Sequence, residues 1–147
     1  MKEDNKRKTV AISGGMDPTT IAHCRLIKEA ATYGDVVVIL NSDDWLIRKK
    51  GYKFMPWEER AEILMSMKGV VDVVRVDDSD GTVCEALRRI KPDYFANGGD
   101  RKVGNTPEGE VCKEFNIEML WGVGGSDKVQ SSSWLIDAVR SAEIKKS

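Results

Sequence analysis

The feature that most constrains this chain is a strict alternation of short apolar runs with amphipathic segments. "TVAIS" (Thr9 to Ser13) reads as a buried strand, and "TIAHCRLIKEAATYG" (Thr20 to Gly34) reads as a helix stopped by glycine. "DVVVIL" is a second strand, apolar throughout as a strand covered on both faces must be. A basic loop, "IRKKGYKFM", leads into a helix "PWEERAEILMSMKG", with Pro56 at the first helical position and Glu58 and Glu59 at the positive end of the dipole. "VVDVVRV", "DYFAN" and "IEMLW" complete five strands. "GTVCEALRRI", "PEGEVCKEF" and "SSSWLIDAVRSA" supply the remaining helices. Such an order predicts an α/β fold: a Rossmann-like, doubly wound, five-stranded parallel sheet with helices on both faces. In such sheets ligands bind beyond the carboxyl ends of the strands, so function is expected in the loops that follow them.

Length, charge and cysteines narrow the class. With 147 residues the chain fits one domain, taken as residues 9–147 after a disordered tail at 1–8. Lys+Arg 23 against Asp+Glu 24 shows no basic excess, so no nucleic-acid partner is expected. The longest apolar run, "VVVIL", is far too short to span a membrane, and "MKEDNKRK" is no signal peptide. Cys24, Cys84 and Cys112 are scattered, which argues against a disulfide framework or a zinc site and makes a reducing, cytoplasmic location the default. No metal ligands are assigned on the chain.

Four loops carry candidate chemistry. Ser13-Gly14-Gly15-Met16-Asp17-Pro18-Thr19-Thr20 joins a strand to a helix. Its glycines permit close backbone approach, and the helix N-terminus offers free N–H groups to a phosphate. His23, the one histidine, sits in the first turn of that helix. The basic segment Arg48-Lys49-Lys50 follows the second strand and would face the same crevice. Arg60 lies near the apolar seam of Trp57, Ala61 and Leu64 and needs an anionic partner, either an acidic side chain or a phosphate. "ANGGDR" (Ala96 to Arg101) and the serine run Ser131-Ser132-Ser133 complete the set.

"SGGMD" resembles the PP-loop of ATP pyrophosphatases, S-G-G-x-D-S, but Pro18 stands where that motif needs serine. Continued to His23, "GGMDPTTIAH" resembles the G-T-F-D-P-x-(H/T)-x-G-H signature of the nucleotidyltransferase superfamily. Met16 replaces its phenylalanine and Ala22 its glycine. "NSDDWLIRKKG" resembles the N-S-D…R-x-K-G segment of heptose-phosphate adenylyltransferases. "ANGGDR" resembles their K-G-G-D loop, and "QSSSWLI" the G-x-S-T-T-x-I pattern. Glycerol-phosphate cytidylyltransferases are similar, but their R-T-E-G is replaced here by Ser126-Asp127-Lys128-Val129.

That resemblance, running from about Thr9 to Ile136, implies transfer of a nucleotidyl group from ATP or CTP to a phosphorylated small molecule such as a sugar or polyol phosphate, with Mg²⁺ as cofactor. It implies His23 and Lys50, supported by Lys49, as catalytic residues. Nucleotide-binding residues would be Ser13, Gly14, Gly15, Met16, Asp17, Thr20, Arg60, Gly98, Gly99, Asp100, Ser131, Ser132 and Ser133. The acceptor would meet Asp17, Arg101 and Lys128. A homodimer is implied by resemblance only. The alternatives are a PP-loop adenylating enzyme and a nucleotide-binding module without activity.

Overall fold

The computed structural model describes residues 7–98, 106–125 and 137–142. Five strands, β1 (Thr9–Gly14), β2 (Asp35–Leu40), β3 (Val70–Val74), β4 (Tyr94–Gly98) and β5 (Glu118–Val123), form one parallel sheet in the order β3-β2-β1-β4-β5. The chain therefore winds outward from β1 to β3, then crosses back to β4 and winds the other way. The strand order reverses between β1 and β4, where an open α/β sheet forms its ligand crevice.

Alternation along the central strands builds two cores. Val10, Ile12, Val36, Val38 and Leu40 face one side, against Ile27 and Ala30 of α1 (Ile21–Ala30) and Ala61 and Leu64 of α3 (Trp57–Met65). Ala11, Ile39 and Phe95 face the other, against Ala86 and Leu87 of α4 (Cys84–Ile90) and Val111 and Cys112 of α5 (Pro107–Glu114). The expected doubly wound sheet with both faces covered is the fold observed.

Local boundaries differ in instructive ways. The basic segment read as a loop is largely helical: α2 spans Asp43–Lys50, capped by Ser42, whose hydroxyl accepts from Trp45 N–H, and closed by Gly51 at φ +84°. Only Leu46 of α2 is buried, so no apolar stripe announced it. Pro56 is the cap of α3 and not its first helical residue, and α4 begins at Cys84, three residues after Gly81. α1 ends at Ala30, short of Gly34. A Cβ at Gly34 would lie 2.2 Å from the Lys8 carbonyl oxygen, so this glycine serves a chain crossing and does not stop the helix. Residues 137–142 are helical, and the serine run that precedes them lies outside the described residues.

Candidate functional site

The loop from β1 to α1 is held from beneath by two buried charges. Arg60, fully buried on α3, donates Nε–H to Met55 O (2.9 Å) and Nη1–H to both Gly15 O (2.8 Å) and Asn41 O (2.9 Å). Its Nη2 is paired with Asp43 Oδ1 at 2.6 Å. Of the two partners open to Arg60, the structure places the acidic side chain, joined by three carbonyls. With no exposed surface the guanidinium does not meet a phosphate, which corrects its assignment as a nucleotide-binding residue. Arg60 instead ties the β1–α1 loop, the end of β2, the α2 cap region and the 51–55 turn into one unit.

Asp17 does the complementary work. It is fully buried and accepts from the amides of Phe54 (2.6 Å) and Met55 (3.0 Å). Both carboxylate oxygens are thereby committed to the backbone, so the side chain binds the 51–55 turn and not an acceptor or a nucleotide. Met16, with φ +50°, sends its side chain into the core and is 2% exposed, so only its backbone is left for a ligand. A Cβ at Gly15 would lie 2.7 Å from Leu46 Cδ2. That glycine is required for the loop to lie against α2.

Above this platform stands His23. Thr20, the α1 cap, donates its backbone N–H to His23 Nδ1 at 2.9 Å, and the Thr20 hydroxyl lies 3.3 Å from the same nitrogen. An Nδ1 that accepts leaves the proton on Nε2 in the neutral ring. Burial, and secondarily the charge of Lys50, push the imidazole down from 6.5 to about 4. The ring is therefore a neutral N–H donor near pH 7. Lys50, at the end of α2, has its own pKa lowered by burial and by Lys49, against the opposing charge of Asp17. Lys50 is thus the electrostatic link, acting on His23 and acted on by Asp17 and Lys49.

The three basic residues do not all face His23, as the loop reading expected. Helical spacing of 100° per residue spreads them. Arg48 donates to the Asp78 carbonyl (2.8 Å) and lies 3.9 Å from its carboxylate. The Lys49 ammonium sits 5.1 Å over the Trp45 ring, and Lys50 is the one of the three whose charge lowers the histidine pKa.

Asp78, unremarked in the sequence, anchors α2. It is 3% exposed and accepts from Asn41 Nδ2 (3.0 Å), Ser42 N–H (2.8 Å) and Ser42 Oγ–H (2.7 Å). An aspartate pair just after a strand is a faint signal, and nothing local told which member turns inward.

Of the other candidates, Ser13 is the penultimate residue of β1, beside the β1/β4 switch point, in a pocket shared with Phe95, Asn97, Glu108 and Trp121. Gly98 ends β4, where an added Cβ would make only ordinary contact, 3.5 Å from Val123 O. Gly99, Asp100, Arg101, Lys128, Ser131, Ser132 and Ser133 lie outside the described residues. Two contacts bring the C-terminal segment towards the site. Gly124 N–H donates to Glu29 Oε1 of α1 (2.9 Å), and the Arg140 guanidinium lies 5.8 Å from the Tyr52 ring, in the turn after Lys50.

A doubly wound parallel sheet with a glycine-rich turn after its first strand and a histidine in the first turn of the helix that follows defines an α/β protein of the Rossmann-like class. Residues 11–135 match the family model described as cytidylyltransferase-like, and the chain belongs to that family. It is 36% identical over 142 residues to the bifunctional protein HldE of Geobacter metallireducens, covering 90% of this chain and 27% of that protein. It is 32% identical over 99 residues to the FAD synthase of Pyrococcus abyssi, covering 66% of each. The chain thus spans about a quarter of the length of the HldE proteins it matches. In fold it resembles a lipopolysaccharide core biosynthesis protein from Thermoplasma volcanium, with TM-score 0.65 and 21% identity over 84% of this chain and 99% of that one. A nicotinate-nucleotide adenylyltransferase-like structure from Vibrio parahaemolyticus gives 0.57 and 18% identity over 89% and 85%. Among the described residues no helix is long and apolar enough to cross a membrane, and the three cysteines are free.

Proposed function

We propose that this protein transfers a nucleotidyl group from a nucleoside triphosphate to the phosphate of a small acceptor. The observation that carries the proposal is His23 in the first turn of α1 with Nδ1 accepting from Thr20 N–H, which leaves the neutral ring's proton on Nε2, within the field of Lys50 at the end of α2. An acceptor phosphate oxygen forms a bond to the α-phosphorus while the bond from that phosphorus to the β-bridging oxygen breaks. Pyrophosphate leaves with the bonding pair. A phosphate dianion needs no general base, so catalysis rests on alignment and charge stabilisation. His23 Nε2–H and the Lys50 ammonium stabilise the α-phosphoryl oxygens, Lys49 supplements the field, and backbone N–H groups around Thr20 meet phosphate. Ser131, Ser132 and Ser133 take the leaving pyrophosphate.

ATP is the favoured donor. FAD carries an adenylyl group, so the FAD synthase relatives support adenylyl transfer, and the N-S-D…K-G segment points the same way. A sugar or polyol phosphate remains the acceptor class, the cytoplasm the location and a homodimer the assembly. Mg²⁺ would reach the site with the triphosphate. Asp17 has both oxygens committed to the Phe54 and Met55 amides, so the phosphates themselves would supply most of the oxygen ligands.

The test is pyrophosphate release from ATP or CTP with Mg²⁺ across a panel of phosphorylated acceptors, with amide and carboxylate acceptors as controls. His23→Ala is expected to lower turnover ~10²-fold or more with a modest change in nucleotide affinity. Near-normal turnover in that variant, or activity confined to carboxylate acceptors, would overturn the proposal.

A further inference from the structure

The pocket at the switch point has a chemical character that the reaction itself does not dictate. Its walls include the Phe95 and Trp121 rings and the Met119 thioether, projecting from β4 and β5. Trp121 is 36% exposed, an apolar surface left uncovered at the mouth. The polar groups are biased towards acceptors. Asn97 spends its NH₂ on the carbonyls of Phe95 and Leu120, at 3.3 Å each, which leaves its oxygen for a ligand. Glu108 brings a carboxylate, one oxygen of which already accepts from Val83 N–H at 3.3 Å. Among the described residues, no lysine or arginine lines the pocket.

The start of α5 would ordinarily offset that bias, because helix N-termini attract anions. Here it is already satisfied. Thr106 Oγ1 accepts from Gly109 N–H at 3.0 Å, Pro107 has no N–H to give, and Glu108 and Glu110 complement the dipole. What remains for a ligand is the Asn97 oxygen, the negative charge of Glu108 and one exposed aromatic face, that of Trp121, because Phe95 is 3% exposed and belongs to the core behind it.

We infer that this pocket receives the part of the acceptor beyond its attacking phosphate, and that it selects an uncharged, donor-rich group with an apolar face while rejecting one that carries a carboxylate. The inference rests on the proposed nucleotidyl transfer for its assignment to the acceptor. Hydroxyl or amide N–H groups would donate to Asn97 and Glu108, and the apolar face would lie on Trp121. Glu108 is the specificity residue. A second carboxylate brought beside it is disfavoured by Coulomb repulsion, about tenfold in a partly solvated pocket.

The test uses pairs of acceptors that differ in that one group: nicotinamide against nicotinate mononucleotide, and a hexose 1-phosphate against the corresponding hexuronate 1-phosphate. Rates with ATP or CTP and Mg²⁺ are measured beside dissociation constants by calorimetry. The neutral member is expected to be favoured about tenfold or more in kcat/KM or in affinity, and Glu108→Gln to narrow the ratio to about threefold or less. Trp121→Ala is expected to raise the acceptor KM about tenfold and leave the nucleotide KM unchanged, a split that general loss of structure would not produce. Equal or better use of the carboxylate member overturns the inference, as does an unchanged ratio in Glu108→Gln. Binding of neither member of either pair also overturns it, while pyrophosphate release with another phosphate acceptor would leave the reaction standing. A preference seen in binding without pyrophosphate release from any acceptor would sink the reaction and keep the pocket's selectivity.

Discussion

His23 offers the sharpest test, because it is the one histidine in the chain and its ring proton gives a single, unambiguous NMR signal. The perturbation is a pH titration of the wild-type protein. Burial is the larger cause of the depressed pKa, about 4 against 6.5, and Lys50 the smaller. Between those values the unfolded chain binds a proton that the folded chain refuses. Stability from this residue is therefore complete above pH 6.5, falls as pH drops through that window, and levels out below about 4. At about 1.4 kcal/mol per pH unit the whole window is worth on the order of 3 kcal/mol, and the stretch from 6.5 to 5 about 2 kcal/mol. The ring signal should titrate near pH 4. Urea unfolding at pH 7.5 and at pH 5 should show wild type losing about 2 kcal/mol more than His23→Gln. Lys50→Met should move the midpoint upward but leave it below 6.5, since burial remains. A midpoint at 6 or above in the wild type, or equal pH sensitivity in His23→Gln, would refute the neutral buried donor on which the mechanism depends.

Other consequences follow from the platform beneath the loop. Arg60→Met strips partners from three carbonyls and leaves Asp43 without its buried cation, an expected loss of about 3–5 kcal/mol by urea unfolding; a loss under about 1 kcal/mol would contradict the strut. Asp17→Asn replaces one accepting oxygen with a donor facing the Phe54 or Met55 amide, and should cost about 1–3 kcal/mol. It should also lower the Lys50 pKa further by removing an opposing charge, readable from the Lys50 ammonium signal; an unmoved signal would separate the two residues. Gly15→Ala places a methyl 2.7 Å from Leu46 Cδ2, and an overpacking cost of about 1–3 kcal/mol should appear as a lower melting temperature.

The architecture was legible because periodicity is local. Five apolar or alternating runs separated by amphipathic segments leave few options besides a parallel sheet with crossover helices, and the observed strand order is the doubly wound one. α2 escaped because that logic failed it: a helix with one buried residue carries no stripe, although Ser42, Asp43 and Gly51 were its cap, first-turn acid and stop. Gly34 misled in the opposite sense, since a residue that ends a helix and one that lets two segments cross look alike in one dimension.

The sequence by itself determined the sheet, the placing of a glycine-rich turn after β1, and the pairing of one histidine with a basic cluster as candidate chemistry. Tertiary structure alone decided what the charges do. Arg60 and Asp17 look like ligand-binding residues in a loop motif, yet their partners are backbone groups 5 to 45 positions away, reached only once α3 and the 51–55 turn fold beneath the loop. Likewise, of three consecutive cations Lys50 is the one whose charge acts on His23, because the helix turns the others towards Asp78 and Trp45. The reason is physical: apolar patterning is read from neighbours along the chain, whereas a buried charge takes whichever partner packing brings within hydrogen-bond reach.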